Sequence, residues 1–274
     1  MLSRKSAIRK PQSAIPDHLG KAIQMPETPL RIVSLVPSQT ELLFDLGLEE
    51  EVVGITKFCI HPHTWFRSKT RVGGTKKLNI DLIRSLEPNL VIANKEENNL
   101  EEVSAIETFC QVWTSDISTI DQALGMMKSL GELTQKRKRA MELEERIRHE
   151  FSDLSFPGTY RCAYLIWKDP YMVAGGDTFI NDMLKAAGMD NVFQEEKRYP
   201  VKKLPDLIRE NLQILLLSSE PYPFKIKDLE DLSKILPNSK IVLVDGEMFS
   251  WYGSRMKYAP AYFKALREKL EAEM

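Results

Sequence analysis

The chain has 274 residues, of which 43% are hydrophobic and 28% charged, and its net charge is −1. Because a domain usually has about 100–200 residues, the chain can form one large domain or two modest ones with buried cores. The balanced charge gives no support to a nucleic-acid partner. No apolar run reaches the ~18–20 residues that a membrane span requires.

The N-terminal residues 1–29 contain several Lys and Arg and four prolines, but no apolar stretch of the ~7–15 residues that a secretory signal needs. No cysteine that could carry a lipid lies near the start. We therefore expect a flexible leader over residues 1–29 and, if Met1 is the natural start, a cytoplasmic location. The three cysteines, Cys59, Cys110 and Cys162, form no metal or redox motif, and their odd number gives no disulfide framework.

Ordered structure is predicted to begin with a β-strand at residues 30–35, a short run rich in Ile, Val and Leu. Ser38 and Glu41 have the spacing of a capping box, and Gly47 is a stop signal, which together predict a helix. Pro37–Gln39 would then lie between the carboxyl end of a strand and a helix N-terminus, where backbone N–H groups can face a ligand.

Strands and helices continue to alternate along the first half of the chain. Val52–Ile55 and Leu90–Ala93 are short apolar runs typical of buried strands, and Asn79 is a cap for a helix between them. Short links between alternating strands and helices predict an α/β fold with a parallel sheet flanked by helices.

Residues 118–154 carry apolar side chains at spacings of three and four, which predicts a helix of roughly 35 residues, on the order of 50 Å long. The segment lacks sustained heptads, so we interpret it as a bridge between two lobes rather than as a coiled coil. The predicted organisation is an N-terminal α/β lobe at 30–117, the bridging helix at 118–154 and a C-terminal α/β lobe at 155–274.

Beyond the bridging helix, the alternation resumes. The predicted elements are strands at Tyr160–Trp167, Ile214–Leu217 and Ile241–Val244, and helices at Phe179–Ala187 and from Ala259 to the C-terminus. The tetrad Asp-Leu-Ile-Arg precedes a strand twice, at 81–84 and at 206–209, which indicates two similar halves. The same tetrad is also a common amphipathic first turn of a helix, so the repeat alone does not decide the point.

Patterns typical of enzymes are weak in this sequence. The paired glycines lack the spacing of a dinucleotide or phosphate loop, and no Gly-x-Ser-x-Gly nucleophile motif is present. Cys59, His61 and His63 would share one face of an extended segment, but Pro62 interrupts that regularity and a fourth metal ligand has no obvious source. We predict a protein that is not an enzyme and has no cofactor, with a metal site at these three residues as the alternative.

Aromatic residues are concentrated in predicted loops that follow strands. They are Phe58, Trp65, Tyr171, Tyr199, Tyr222, Phe224, Phe249, Trp251 and Tyr252. Because open parallel sheets bind ligands beyond the carboxyl ends of their strands, this distribution predicts a cleft for a large, partly apolar ligand. Some of these rings can equally be core residues, since aromatic side chains also dominate protein cores.

Several runs, in their order and spacing, resemble the helical-backbone substrate-binding proteins of ABC importers, the class that carries cobalamin, haem and ferric siderophores. In the first half these runs are RIVSLVPSQTE (31–41), NIDLI (79–83) and EPNLVIA (87–93), and in the second half DPY (169–171), Gly188 with NVF (191–193), and FSWYGSR (249–255). The resemblance extends from about residue 30 to about residue 265. It implies two α/β lobes joined by a long helix, with the ligand held between the lobes.

The resemblance also implies which residues contact the ligand. By position they are Pro37, Ser38, Gln39 and Phe58 in the first lobe, and Tyr171, Tyr199, Phe249 and Arg255 in the second. Trp251 and Tyr252, from the aromatic run, are added to the predicted ligand contacts. Thr75 and Asn94 stand where vitamin B12-binding members of the class have large aromatic residues, and Tyr199 replaces another. The resemblance therefore leaves the ligand open between a corrinoid and a ferric chelate.

Members of the class dock on their permease through one acidic residue in each lobe. Asp81 matches the first of these, and the second falls at Pro205 or, with a shift of one residue, at Asp206. The tetrad repeat favours Asp206. Acids at these positions would also complement the dipole of a helix, so both interpretations stay open. The implied partners are an ABC permease and a small metal chelate, and the implied state is a monomer.

Two alternatives to an import receptor remain at this point. The missing signal favours a cytoplasmic binding or sensing protein that uses the same scaffold. A metal-dependent enzyme would have to use Cys59, His61 and His63, but the sequence offers no base, nucleophile and orienting group that could act together.

Overall fold

A computed structural model describes residues 14–25 and 30–273. The chain divides into two compact units. Unit 1 holds the described residues up to Asp116 together with Ser129–Lys138, and unit 2 holds Ile117–Lys128 together with the described residues from Arg139 onward. Within these ranges, no helix combines the length and the apolar character needed to cross a membrane.

Unit 1 is built on a parallel sheet. Its strands are β1 (Ala14–Pro16), β2 (Ala22–Gln24), β3 (Ile32–Ser34), β4 (Val52–Ile55), β5 (Thr70–Arg71), β6 (Gly73–Gly74), β7 (Lys77–Leu78), β8 (Leu90–Asn94) and β9 (Val112–Ser115), and its helices are α1 (Pro37–Asp45), α2 (His63–Ser68), α3 (Ile80–Ser85) and α4 (Leu100–Glu107). The main sheet has the order β5-β4-β3-β8-β9, and every neighbouring pair in it is parallel. All five residues of β8 are buried, as expected for a parallel strand covered on both faces.

Strand β3 lies at the centre of this sheet, with β4 on one side and β8 on the other. After β3, the chain first adds β4 and β5 on one side of it and later β8 and β9 on the other side. The chain thus changes side at β3, and α1 follows directly from that strand. In open α/β sheets such a reversal leaves a crevice beyond the carboxyl ends of the strands, which is where ligands bind. The first turn of α1 therefore lies where this fold predicts a ligand site.

The start of α1 differs from the prediction. Ser38 was expected to be the N-cap of a capping box, but the helix begins at Pro37 and its N-cap is Val36, with no side-chain cap. Pro37 accounts for the difference, because proline has the backbone angle of a first helical residue and needs no N–H partner there. The predicted stop at Gly47 is confirmed: Gly47 has φ 78°, and Leu48 N–H donates to Leu43 O at 3.2 Å, as in a Schellman motif.

Ordered structure begins earlier than expected. Strands β1 and β2 form an antiparallel hairpin within the predicted leader, with Ile15 opposite Ile23. The hairpin contacts the edge strand β9, since Trp113 Nε1 donates to Pro16 O at 3.3 Å and His18 N–H donates to Thr114 O at 3.1 Å. The expectation that order starts at Leu30 is therefore wrong for residues 14–25, and the rest of the predicted leader lies outside the described residues.

The predicted bridging helix is two helices, α5 (Ile120–Leu133) and α6 (Arg137–Ser152). Gln135 adopts φ 60°, Gln135 N–H donates to Glu132 O, and Lys136 N–H donates to Gly131 O at 2.7 Å. These two bonds form a Schellman motif that ends α5. The sequence does not reveal this break, because the residue in the left-handed conformation is Gln135 rather than the Gly or Asn that usually ends a helix. Residues of α5 belong to both compact units.

Unit 2 has a sheet with a parallel centre. Its strands are β10 (Tyr160–Trp167), β11 (Tyr171–Val173), β12 (Met189–Asn191), β13 (Val201–Lys202), β14 (Ile214–Ser218) and β15 (Lys240–Val244), and its further helices are α7 (Phe179–Ala186), α8 (Leu204–Arg209), α9 (Ile226–Ile235), α10 (Glu247–Ser250) and α11 (Ala259–Glu273), with a 3-10 helix at Ser254–Tyr258. The order is β13-β11-β10-β14-β15, and β12 pairs in parallel with the start of β10.

Strands β10, β14 and β15 are mutually parallel, which confirms the predicted α/β class, but β11 and β13 run antiparallel at one edge. The sequence analysis did not foresee this edge, because three-residue and two-residue strands carry little periodicity. The carboxyl ends of β10, β14 and β15 lie side by side, so the residues that follow Trp167, Ser218 and Val244 share one edge of the sheet.

Candidate ligand-binding site

At the carboxyl edge of the unit 1 sheet, α1 starts among buried polar side chains. Gln39 is fully buried, and its Nε2 donates to Ser115 Oγ at the end of β9. Thr40 Oγ1 donates to Ser34 Oγ at 2.7 Å, at the end of β3. Neutral hydroxyl and amide groups therefore connect the first turn of α1 to two strand ends.

Two buried atoms in this turn, Ser38 Oγ and Gln39 Oε1, have no hydrogen-bond partner among the described residues. A buried polar atom without a partner costs roughly 1–3 kcal/mol. The N–H groups at the start of a helix also favour negative charge. The first turn of α1 thus has the groups needed to hold a polar or anionic part of a ligand, next to Pro37, which is partly exposed.

Asn94 and Thr75 contribute to the loops of the same edge. Asn94 Nδ2 donates to Ser115 Oγ at 3.0 Å, and its Oδ1 accepts from the N–H groups of Glu96 and Glu97, so the whole side chain is engaged inside unit 1. Thr75 is partly exposed, and its carbonyl oxygen accepts from Asn98 Nδ2 at 3.1 Å. Asn94 orders the loop after β8 rather than presenting a free amide to a ligand.

Phe58 is the exposed aromatic residue at this edge, with 50% of its surface accessible. The ammonium group of Lys57 lies 5.1 Å from the centroid of its ring, and a side chain at Gly74 would approach the same ring to 3.2 Å. An aromatic ring that is exposed but flanked in this way offers a flat apolar surface to a ligand.

In unit 2, Trp167 is the last residue of β10 and remains 40% exposed. Its ring lies edge to face with Tyr222, with centroids 5.6 Å apart, and Tyr222 packs in turn on Phe224 at 4.8 Å. From the sequence, Trp167 is predicted only as a strand residue. Its place at the carboxyl end of that strand is the feature that could have marked it as a site residue. We add Trp167 and Tyr222 to the candidate site.

Tyr171 and Tyr199 are both partly buried. Tyr171 begins β11 and packs against the core of unit 2, and burial raises the pKa of its hydroxyl group. Tyr199 lies just before β13, with the guanidinium of Arg198 6.0 Å from its ring centroid. Both rings therefore remain candidates for ligand contacts.

Phe249 is a core residue, contrary to the expectation that it contacts a ligand. It is fully buried, with ring centroids 4.9 Å from Phe263 and 5.2 Å from Tyr164. Tyr252 is nearly buried as well and lies 5.7 Å from the ring of Phe179. Phe249 and Tyr252 are both predicted as ligand contacts, but their rings pack in the core of unit 2.

Trp251 and Arg255 are held by carboxylates. Trp251 Nε1 donates to Glu220 Oε1 at 2.7 Å, and the Arg255 guanidinium lies 5.0 Å from the ring centroid of Trp251. Arg255 also forms an ion pair with Glu247 at 2.6 Å, and only 12% of its side chain is exposed. Arg255 is thus a cation that Glu247 and Trp251 position.

The two candidate docking acids occupy different helical positions. Asp81 is exposed and is the second residue of α3, after the Asn79 cap. Asp206 is the third residue of α8, where it accepts from Lys203 N–H at 2.9 Å and pairs with Arg209. The residue that matches Asp81 by helical position is Pro205. The tetrad repeat is therefore out of register by one residue between the two helices.

The structure gives no support to a metal site at Cys59, His61 and His63. Cys59 is fully buried, its sulfur contacts the hydroxyl groups of Thr40 and Thr56, and burial raises the pKa of the thiol to about 11. The rings of His61 and His63 lie 6.3 Å apart. Within the described residues, no three His, Cys, Asp or Glu side chains are grouped as metal ligands. A neutral buried thiol is a poor ligand, because metals bind the thiolate.

The fold and these two strand edges define a binding protein of the periplasmic type. The periplasmic binding protein family matches residues 32–214, more than half of the chain, and the chain belongs to that family. The vitamin B12-binding protein of Photorhabdus laumondii is 22% identical over 234 residues, which cover 83% of this chain and 84% of that protein. This relative is a binding protein rather than an enzyme, in agreement with the prediction that the chain is not an enzyme.

Solved structures share the fold. The periplasmic heme-binding protein RhuT of Roseiflexus sp. RS-1 in apo form has a TM-score of 0.76 at 22% identity and covers 88% of this chain and 99% of its own. The periplasmic vitamin B12-binding protein BtuF of Vibrio cholerae has a TM-score of 0.74 at 18% identity and covers 88% and 97%. An Fe3+-hydroxamate transport protein of Saccharomonospora viridis has a TM-score of 0.74 at 17% identity and covers 92% and 97%.

Proposed function

We propose that this protein is the substrate-binding component of an ABC importer and that it captures a metal chelate, either a corrinoid or a ferric siderophore. Membership of the periplasmic binding protein family supports the role of a receptor. Vitamin B12, heme and Fe3+-hydroxamate in the names of similar proteins support the class of ligand. The same relatives support a site of action outside the cytoplasmic membrane and an ABC permease as partner.

The observation that carries the proposal is the exposed Trp167 beside Tyr222, at the carboxyl edge of the unit 2 sheet. The exposed part of a large ring adds little to the stability of the fold, whereas a flat apolar ligand would gain buried area on it. Phe58 is a comparable ring at the carboxyl edge of the unit 1 sheet. We propose that each unit contributes such a ring to ligand binding, together with the first turn of α1 and Arg255 for the polar groups of the chelate.

A spectroscopic titration tests this function. Purified protein is titrated with cyanocobalamin, cobinamide, haemin and ferrioxamine, and binding is followed by absorbance and by tryptophan fluorescence. We expect a saturable signal with one of these probes. A folded sample that binds none of the four would contradict the proposal.

The Trp167→Ala variant tests the site itself. Removing an aromatic anchor from a binding surface typically costs at least ~2 kcal/mol, so we expect affinity to fall at least about tenfold. Ile235→Ala is the matched control, because Ile235 is an exposed apolar residue at the end of α9. Since α9 runs back from the carboxyl ends of the strands, Ile235 lies away from that edge. Equal losses in both variants would show that Trp167 is not part of the site.

We further propose that acidic residues of α3 and α8 meet arginines of the permease and that the receptor acts as a monomer. The exposure of Asp81 supports its part in this contact. Asp206 is already paired with Arg209, so a permease arginine would have to compete with Arg209 for its carboxylate.

A further inference from the structure

Two loops of unit 2 are joined at one carboxylate, that of Glu220. Glu220 follows β14, whereas Ser250 and Trp251 follow the neighbouring strand β15. Glu220 Oε1 accepts hydrogen bonds from Ser250 Oγ and from Trp251 Nε1, both at 2.7 Å. A single oxygen atom thus connects the loop after β14 to the end of α10.

The two loops approach each other closely enough to require a glycine. A Cβ atom at Gly246 would lie 2.5 Å from Ser218 Oγ and 2.6 Å from Glu220 Cγ. Tyr164 in β10 donates from its hydroxyl group to Ser218 Oγ at 3.0 Å, and this bond holds Ser218 next to Gly246. Glu220 therefore has little room to move away from its two donors.

Glu220 holds Trp251, whose ring packs against Arg255, the side chain that the proposed function assigns to polar groups of the ligand. The guanidinium of Arg255 lies against the ring of Trp251, and the same guanidinium forms an ion pair with Glu247. Each carboxylate thus positions one member of the Trp251–Arg255 pair. Glu220 is partly buried, and its Oε1 accepts from two donors of the protein, so its role is to position the pair.

The surroundings of Glu220 disfavour its negative charge. Burial is the main cause that raises the pKa of Glu220, and the nearby carboxylates of Glu247 and Asp245 raise it further. The donors Ser250 and Trp251 act in the opposite direction. The other titratable or charged groups around this carboxylate are Tyr164, whose pKa is itself raised by burial; Tyr262, whose hydroxyl accepts from Asp245 N–H; and Arg255, bound to Glu247.

We propose that Glu220 is the positioning residue of the ligand-facing segment of unit 2, and that protonation of its carboxylate loosens Trp251 and Arg255 and so weakens ligand binding. A hydrogen bond to an ionised acceptor is stronger than one to a neutral acceptor, so the proton weakens both bonds to Glu220 at once. The effect on affinity rests on the proposed function, whereas the effect on Trp251 does not.

The first arm of the test needs no ligand. The indole N–H signal of Trp251 is followed by two-dimensional NMR from pH 4 to pH 8, with Trp251→Phe used to assign it. We expect the signal to titrate with a midpoint above the 4.5 of an ordinary Glu, to stay constant in Glu220→Gln, and to titrate normally in the exposed control Glu230→Gln. An unchanged titration in Glu220→Gln would overturn the proposal.

The second arm measures affinity for cyanocobalamin, or for haemin if haemin is the probe that binds, at pH 5 and pH 7.5. We expect the wild type to bind more weakly at pH 5 than at pH 7.5, by at most about fivefold, which is the difference between a charged and a neutral hydrogen bond, and Glu220→Gln to show no such difference. The same pH dependence in both proteins would overturn the coupling. If none of the probes binds, the proposed function fails, and the NMR titration alone decides the role of Glu220.

Discussion

The carboxyl edges of the two sheets differ in chemical character. In unit 1 the first turn of α1 is connected to the strand ends by neutral groups, with Gln39 and Asn94 both donating to Ser115. In unit 2 the connections are made by carboxylates, with Glu220 accepting from Trp251 and Glu247 pairing with Arg255. Similar strand–helix architecture therefore yields one edge whose connections are made by neutral groups and one edge whose connections are made by carboxylates.

The two edges also differ in the interactions that hold their candidate binding residues in place. The aromatic run of unit 2 places Phe249 and Tyr252 in the core, and Trp251, which is only 7% exposed, bonds to Glu220. At the unit 1 edge, Phe58 is exposed and α1 is ordered by hydrogen bonds. Aromatic packing thus supports this segment of unit 2, whereas a polar network supports the first turn of α1 in unit 1.

The largest expected effect comes from removing the packing beneath the unit 2 edge. Phe249→Ala should destabilise the protein by about 3–5 kcal/mol, because the ring is fully buried and contacts the rings of Tyr164 and Phe263. Urea unfolding followed by circular dichroism measures the change. Phe58→Ala is the matched control in unit 1 and should change stability by no more than about 0.5 kcal/mol, because exposed residues contribute little.

An equal, small loss in the two variants would contradict the assignment of Phe249 to the core. The run at 249–252 could then face a ligand, as the sequence suggested, and the contrast between the two edges would disappear.

A smaller effect is expected from the polar network of unit 1. In Ser115→Ala, Gln39 Nε2 loses its acceptor inside the protein, and a buried donor left without a partner costs about 1–3 kcal/mol. Ser85→Ala is the control, since Ser85 is exposed at the end of α3. Because Gln39, Asn94 and Ser115 carry no titratable groups, the loss should be the same at pH 5 and at pH 8.

In unit 2, by contrast, we expect the stability of the protein to depend on pH through Glu220. The pKa of Glu220 is raised, so its protonated form stabilises the fold fully below about 4.5, the ordinary value, and this stabilisation is lost as pH rises through the folded pKa. Wild-type stability should fall over that window relative to Glu220→Gln. A loss in Ser115→Ala that varied with pH as strongly would show that the two edges do not differ in this way.

The sequence predicts the elements well where one strong pattern covers the whole segment. The strand at Tyr160–Trp167 has the predicted bounds, because all of its residues except Arg161 are apolar or aromatic. The break after Leu133 was missed because its left-handed residue is Gln135. The direction in which α10 turns Phe249 depends on tertiary packing, which local sequence does not encode.

The candidate site was predictable only in part, for similar reasons. The first turn of α1 follows from a strand signal, a proline and a helix signal that are adjacent in sequence. Glu220 could not be found, because its donors are 30 residues or more away and no local pattern connects them. Trp167 was overlooked because a strand pattern does not reveal which of its end residues stays exposed.

The smallest expected effect concerns the two acids at the helix starts. Asp206→Asn should lower the melting temperature slightly and measurably, because the Asp206 carboxylate accepts from Lys203 N–H and pairs with Arg209. Asp81→Asn should have less effect, because Asp81 is one position nearer the start of its helix and is exposed. The backbone hydrogen bond of Lys203 and the charge of Arg209 lower the pKa of Asp206, so its contribution is present above about 3.8 and is lost as pH falls through the folded pKa.

Scanning calorimetry of both variants at pH 7 and at pH 3 measures this difference. If Asp206→Asn proves as silent as Asp81→Asn at pH 7, its carboxylate is not needed by α8 and is available for a permease arginine. The tetrad repeat would then mark two equivalent docking acids despite the shift in register. If only Asp206→Asn destabilises, the helix uses this acid, and the docking acid of unit 2 has to be sought at a position other than the one the repeat suggests.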